Sequence, residues 1–177
     1  MAMIDGLLQE LEQEAHTTRR VLERVPQQHM TWRPHPKSYS LGQLALHIAQ
    51  TPALVAELAM QSPAAPPAFV QGEAASTAEL LSTLEQTIAK TRALLADVDD
   101  ETMADTWRLV LGDQELMAMP RIAFLRAIML NHWYHHRGQL TVYLRQLNVP
   151  VPSVYGPSAD ENPFAEALQA QAQAAAV

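Results

Sequence analysis

The run Asn131-His132-Trp133-Tyr134-His135-His136-Arg137-Gly138-Gln139 sets His132 and His136 four residues apart inside a long, otherwise apolar helical pattern. On a helix this spacing turns both imidazoles to one side, where they can ligate a single metal ion. With His132 as zero and about 100° per residue, His136 falls near 40°, among Leu125 near 20°, Met129 near 60° and Leu140 near 80°. The pair therefore lies within the apolar stripe. His135, at about −60°, is nearer the edge and is the weaker ligand candidate.

An earlier helical segment carries His47 on one face with Gln43, Leu44, Thr51, Leu54 and Leu58, which predicts that His47 also faces the interior. Three neutral imidazoles meeting there would each need a partner, since a buried unsatisfied polar group costs about 1–3 kcal/mol. A shared divalent ion removes that cost. A core histidine satisfied by protein groups is the competing reading, and the pattern alone leaves both open. His16 lies off its helix's stripe and is expected in solvent, and His29 and His35 sit in a proline-bounded loop, so none of the three is a leading candidate.

The chain has no cysteine, which excludes disulfides, thiolate ligands and a cysteine nucleophile. Any thiol chemistry must use a small cosubstrate. Imidazole ligands suit zinc, nickel, iron or copper. Gln43 and Gln139, each near a ligand on its own helix, are candidate donors to the imidazoles. Arg137, at about 140°, either meets an anionic substrate at the rim or is solvated. Tyr143 either lines the pocket or packs. No carboxylate falls in the histidine stripes, so the pattern assigns no general base.

These residues need helices to hold them. Apolar residues recur at three- and four-residue steps from Met3 to Val25, predicting an amphipathic helix that Pro26 ends. Trp32-Arg33-Pro34-His35-Pro36 makes a connection that presents an aromatic anchor. Ser40 with Gln43 forms a capping box opening a second helix to about Gln61, with Pro52 inside it as a kink or the start of a new turn. Ser76 opens a third helix that leaves at Asp99-Asp100. Glu101 to Met119 is less regular: Thr106 to Leu111, then Gly112-Asp113, reads as an extended segment and turn, a candidate hairpin with Glu115 to Ala118. Pro120 opens the longest helix, ending near Leu147. Residues 164–177, Ala- and Gln-rich, permit a short helix whose final turn frays.

The fold class read from this order is all-α: an up-and-down four-helix bundle over residues 1–163, with an irregular or hairpin insert before the last long helix and a short helix or tail over 164–177. The 177 residues carry 48% hydrophobic side chains and a net charge of −7, with no Lys/Arg cluster to neutralise phosphates, which argues against a nucleic-acid partner. There is no membrane-length apolar run and no basic-then-apolar start, so a soluble cytoplasmic protein is expected.

Trp32-Arg33-Pro34, Ser40-Leu41-Gly42-Gln43-Leu44-Ala45-Leu46-His47-Ile48, the histidine run through Leu140, and Val149-Pro150-Val151-Pro152-Ser153-Val154-Tyr155-Gly156-Pro157-Ser158-Ala159-Asp160 together resemble the DinB-like (DinB/YfiT) metalloenzyme superfamily. That superfamily includes bacterial thiol-dependent S-transferases. The resemblance implies that His47, His132 and His136 are the metal ligands, with nickel or zinc as the first candidates and iron or manganese next. It also implies a homodimer and a small-molecule substrate, with a low-molecular-weight thiol as cosubstrate of a transferase. A metal-dependent hydrolase and a non-catalytic, stress-related metal-binding bundle are the alternatives.

Overall fold

Helix starts follow the polar caps. The computed structural model describes residues 2–175. Helix α1 spans Met3–Leu22 and gives way to a 3₁₀ turn at Gln27–His29, just past Pro26. Helix α2 spans Leu41–Ala59 behind the expected capping box: Ser40 Oγ accepts from the Gln43 N–H at 3.2 Å, and Gln43 Oε1 accepts from the Ser40 N–H at 3.0 Å. Helix α3, Thr77–Leu95, starts after Ser76, whose hydroxyl accepts from the Glu79 N–H at 3.1 Å. Each cap satisfies first-turn amides that the helix itself leaves without partners.

Helix α3 ends at Leu95, short of the expected exit at Asp99-Asp100, and that pair starts the next element instead. Asp99 Oδ1 accepts from the Thr102 N–H at 2.8 Å and so opens a short helix α4, Asp100–Ala104, in a stretch expected to be irregular. The predicted hairpin follows, with β1 at Thr106–Leu111 and β2 at Gln114–Pro120 paired antiparallel. Gly112 takes φ 59° in its turn, the left-handed region that glycine enters without a Cβ penalty. Trp107 on β1 stacks on Phe124 with ring centroids 3.8 Å apart and donates from Nε1 to the Leu58 carbonyl at 3.1 Å, fastening the hairpin to the end of α2.

The last long helix is one run in three parts: α5 (Arg121–Phe124), a π-helical stretch (Leu125–Asn131) and α6 (His132–Gln146). It stops as expected at Leu147, after which Asn148 takes φ 57°. Arg121 is buried and caps other elements, with Nε donating to the Ala59 carbonyl at 2.9 Å and a second nitrogen to the Thr102 carbonyl.

The architecture is a four-helix bundle. Helices α1 and α2 each pack between α3 and the last helix, so the connection from α1 to α2 runs between opposite corners of the bundle. The core joins Leu11 and Leu22 of α1, Leu44 and Ile48 of α2, Leu80 and Leu95 of α3, and Leu125, Met129, Trp133 and Leu140 of the last helix. Helix α7, Ala165–Ala175, realises the short C-terminal helix, and its Leu168 is exposed. The expected fraying of the final turn concerns residues 176–177, outside the described residues.

The loop after α2 matters for the site. Ala64 exchanges backbone hydrogen bonds with Arg108 and Val110 of the hairpin, each 2.8 Å, and the chain then runs back along α2 to Gly42. A Cβ on Gly42 would stand 2.9 Å from Glu73 Cγ, 3.1 Å from the Ala74 carbonyl oxygen and 3.2 Å from Met30 Cβ. Glycine is what lets both loops close on the start of α2.

Candidate metal centre

Helix α2 supplies His47, and α6 supplies His132 at its first position and His136 one turn later. The three imidazoles come together. One ring nitrogen from each lies within 4.8 Å of the others, and His47 Nε2 is 3.1 Å from His132 Nε2. The rings stand nearly perpendicular to one another, at 80°, 89° and 87°, with centroids 4.3–5.3 Å apart. Edges converge rather than faces stacking, which is how three rings address a common point. Each histidine is half-buried.

Two glutamines hold the rings from behind. His47 Nδ1 is 3.0 Å from Gln71 Oε1, and the Gln71 amide nitrogen donates to the Gly72 carbonyl at 3.0 Å, which fixes the amide's orientation. His136 Nδ1 is 2.7 Å from Gln139 Oε1. An oxygen acceptor at Nδ1 keeps the proton there and leaves the Nε2 lone pair for the centre, the usual outer support of a ligating histidine.

Electrostatics favour the neutral rings. Burial, then the neighbouring His136 and His132, push His47 down to about 4 from an ordinary 6.5. Burial leads in lowering His132, followed by His136 and His135. His136 is lowered by burial and by His135, against the opposing hydrogen bond from Gln139. At neutral pH all three lone pairs are therefore available to a cation.

A backbone device aligns the two helices. Pro52 lies inside α2 and has no N–H to give the Ile48 carbonyl four residues earlier. Trp133 Nε1 takes that carbonyl at 2.8 Å, and Thr51 Oγ1 donates to the His47 carbonyl at 2.6 Å. The π-helical stretch ends at Asn131, immediately before His132, and sets the angular phase of that histidine, a placement π turns often have at functional sites.

Several expectations change. Arg137 is neither solvated nor at a rim for anions: it is buried, ion-paired with Glu14 at 2.6 Å, bonded to Thr18 Oγ1 at 3.1 Å and to the Tyr155 hydroxyl at 2.5 Å. Helix α6 is covered on that side too, by α1 and by the segment after Asn148, which a single-stripe reading of the helix omits. Gln43 is used up in the cap of α2 and supports no histidine. Leu54 shares the His47 face yet is exposed, so the face opens to solvent toward its C-terminal end. Tyr143 packs edge-on against Trp32 at 5.6 Å, with its hydroxyl on the Tyr39 carbonyl rather than the centre. His16 is exposed, as expected; His135, His29 and His35 are exposed too, and all four stand outside the cluster.

Sequence reasoning missed Gln71, Tyr39 and Phe69. The Tyr39 and Phe69 rings each lie 6.0 Å from the His47 ring. All three belong to loops, where helical phase says nothing about which side chains meet.

The family model described as the DinB family matches residues 2–169. The chain belongs to the DinB family. The uncharacterized protein YrdA of Bacillus subtilis (strain 168) is 27% identical over 164 residues, 89% of this chain and 91% of its own length. A DinB-like protein from Bacillus cereus ATCC 10987 shares the fold with a TM-score of 0.66 at 24% identity, covering 88% of this chain and all of its own. The DinB-like protein YjoA of Bacillus subtilis does so at 0.61 and 20% identity, covering 82% and 95%. This DinB-family chain thus combines a shared helical bundle with a three-histidine cluster that could hold a metal ion. Among the described residues no helix is long and apolar enough to cross a membrane.

Proposed function

We propose that His47, His132 and His136 ligate one divalent ion, nickel or zinc ahead of iron or manganese, and that the protein is a metal-dependent transferase joining a low-molecular-weight thiol to a small electrophile. The observation that carries this reading is the convergence of three neutral imidazoles, two of them held at Nδ1 by glutamine oxygens. The donor set fits: three nitrogens satisfy a borderline-soft divalent ion and leave at least one position open, the pattern of catalytic rather than structural sites.

A bound ion would lower the pKa of an incoming thiol or water enough to supply a nucleophile near neutral pH. The chain's own residues do the rest. Gln71 and Gln139 orient the ligands, and Tyr39 and Phe69 wall the approach beside His47. The chain contains no cysteine, so the thiol comes from outside.

Turnover of a chromogenic electrophile tests the reaction. Product formation is expected to need both the metal and an added low-molecular-weight thiol, and to be lost in His136→Ala. Equal rates with and without thiol would replace the transferase by a hydrolase, and no turnover with any thiol would leave a metal-binding bundle.

A further inference from the structure

A cleft with a volume of about 370 Å³ runs between the C-terminal half of α2 and the loop that returns along it. Its walls are Leu54, Leu58, Pro66, Pro67 and Phe69, with Glu57 and Gln61 as the polar members. The size is in the range of small-molecule sites. Glu57 is already paired with Lys90 at 2.5 Å, so the cleft holds no uncompensated charge.

Two features tie the cleft to the three-histidine centre. Phe69 is a wall of both, lining the cleft while its ring sits 6.0 Å from His47. Leu54 is two turns beyond His47 on the same face of α2, about 10 Å along the axis. Leu54 is 42% exposed and Phe69 43%, which leaves apolar surface uncovered along the α2 face that carries His47. Neither this cleft nor one of similar size, 380 Å³, between α1 and α3, edged by Glu12, His16, Arg19 and Arg92, is lined by the three histidines; of the two, the α2 cleft has a wall, Phe69, that also stands against His47.

We propose that this cleft is the substrate's apolar subsite: the molecule that reacts at the three histidines carries an uncharged hydrocarbon portion, which lies between Leu54, Leu58 and Phe69. This rests on the metal reading above and specifies the substrate class for it. A polar reacting end at the imidazoles and a hydrocarbon end in the cleft match the change in lining along the α2 face. Burial of the hydrocarbon supplies binding energy away from the reacting atom.

The test uses the full chain loaded with cobalt(II), titrated with ethanethiol, butanethiol and hexanethiol while the visible absorption of the cobalt is followed. Affinity is expected to rise about three- to fourfold per added methylene, the usual gain for burying one CH₂. Leu54→Gln, a change at an exposed position, is expected to flatten the series with cobalt still bound. Equal affinity at every chain length, or an undiminished series in Leu54→Gln, overturns the subsite and leaves the metal reading standing. Failure to bind cobalt removes the metal reading and the subsite with it, whereas cobalt bound with no response to any thiol overturns the subsite and the thiol reaction and leaves the metal site. A change in oligomeric state by light scattering in Leu54→Gln, with the series intact, assigns the surface to a second copy of the chain and also overturns the proposal.

Discussion

Trp133 donates its indole N–H to the carbonyl of Ile48 at 2.8 Å, the one acceptor in α2 that Pro52 deprives of its helical donor. Each partner is next to a histidine of the cluster, Ile48 after His47 and Trp133 after His132. One hydrogen bond thus sets the register between the two helices at the level of the centre.

Trp133→Phe is expected to lower stability by about 2–3 kcal/mol, through a buried acceptor left unmade and lost packing. Divalent-ion affinity should fall about tenfold or more, the usual effect of loosening the support of a ligand. Pro52→Ala in that background returns an N–H to Ile48 and should recover part of the stability. Urea unfolding and metal titration check both, and no recovery in the double variant would contradict the assignment of the Ile48 carbonyl.

Arg137 is expected to be structural. Its guanidinium lies 5.2 Å from the Tyr134 ring centre and 5.1 Å from that of Tyr155, and it closes the segment after α6 onto Glu14 and Thr18 of α1. Arg137→Ala leaves Glu14 mostly buried without its partner and should cost about 3–5 kcal/mol. Metal content of the folded fraction should stay at the wild-type level. Unchanged stability with weakened anion binding would restore the rim role.

The arrangement of the histidines was legible because helical phase is a property of sequence. His132 and His136 fell on one stripe, His135 off it, and His47 on a facing helix. The caps at Ser40 and Ser76 and the Gly112 turn were legible for the same reason, since each is a local requirement. Arg137 was misread because phase identifies a face without saying how many neighbours cover the helix. The π-helical stretch before His132 has no composition of its own and shifts the angles of every residue upstream. Gln71 and Phe69 reach the centre only because Ala64 is tied to the hairpin and Gly42 admits Ala74, contacts between residues far apart in the chain.

Acid should destabilise the metal-free protein through these histidines. The folded pKa of His47 is about 4 against an ordinary 6.5, so its contribution is complete above 6.5. Below that the unfolded chain takes up a proton the folded one refuses, and stability falls until about pH 4. His132 and His136 are lowered too and add in the same direction. Urea midpoints of chelator-treated protein at pH values between these limits should drop more steeply for wild type than for His47→Asn. Parallel profiles would mean the imidazole is not held neutral by the fold.

Elemental analysis after purification without added chelator shows whether the three histidines hold an ion. Wild type is expected to carry about one divalent ion per chain, and the His47→Ala, His132→Ala double variant less than about a tenth of that. Full metal content in the double variant, folded and purified in the same way, would contradict the three-histidine centre.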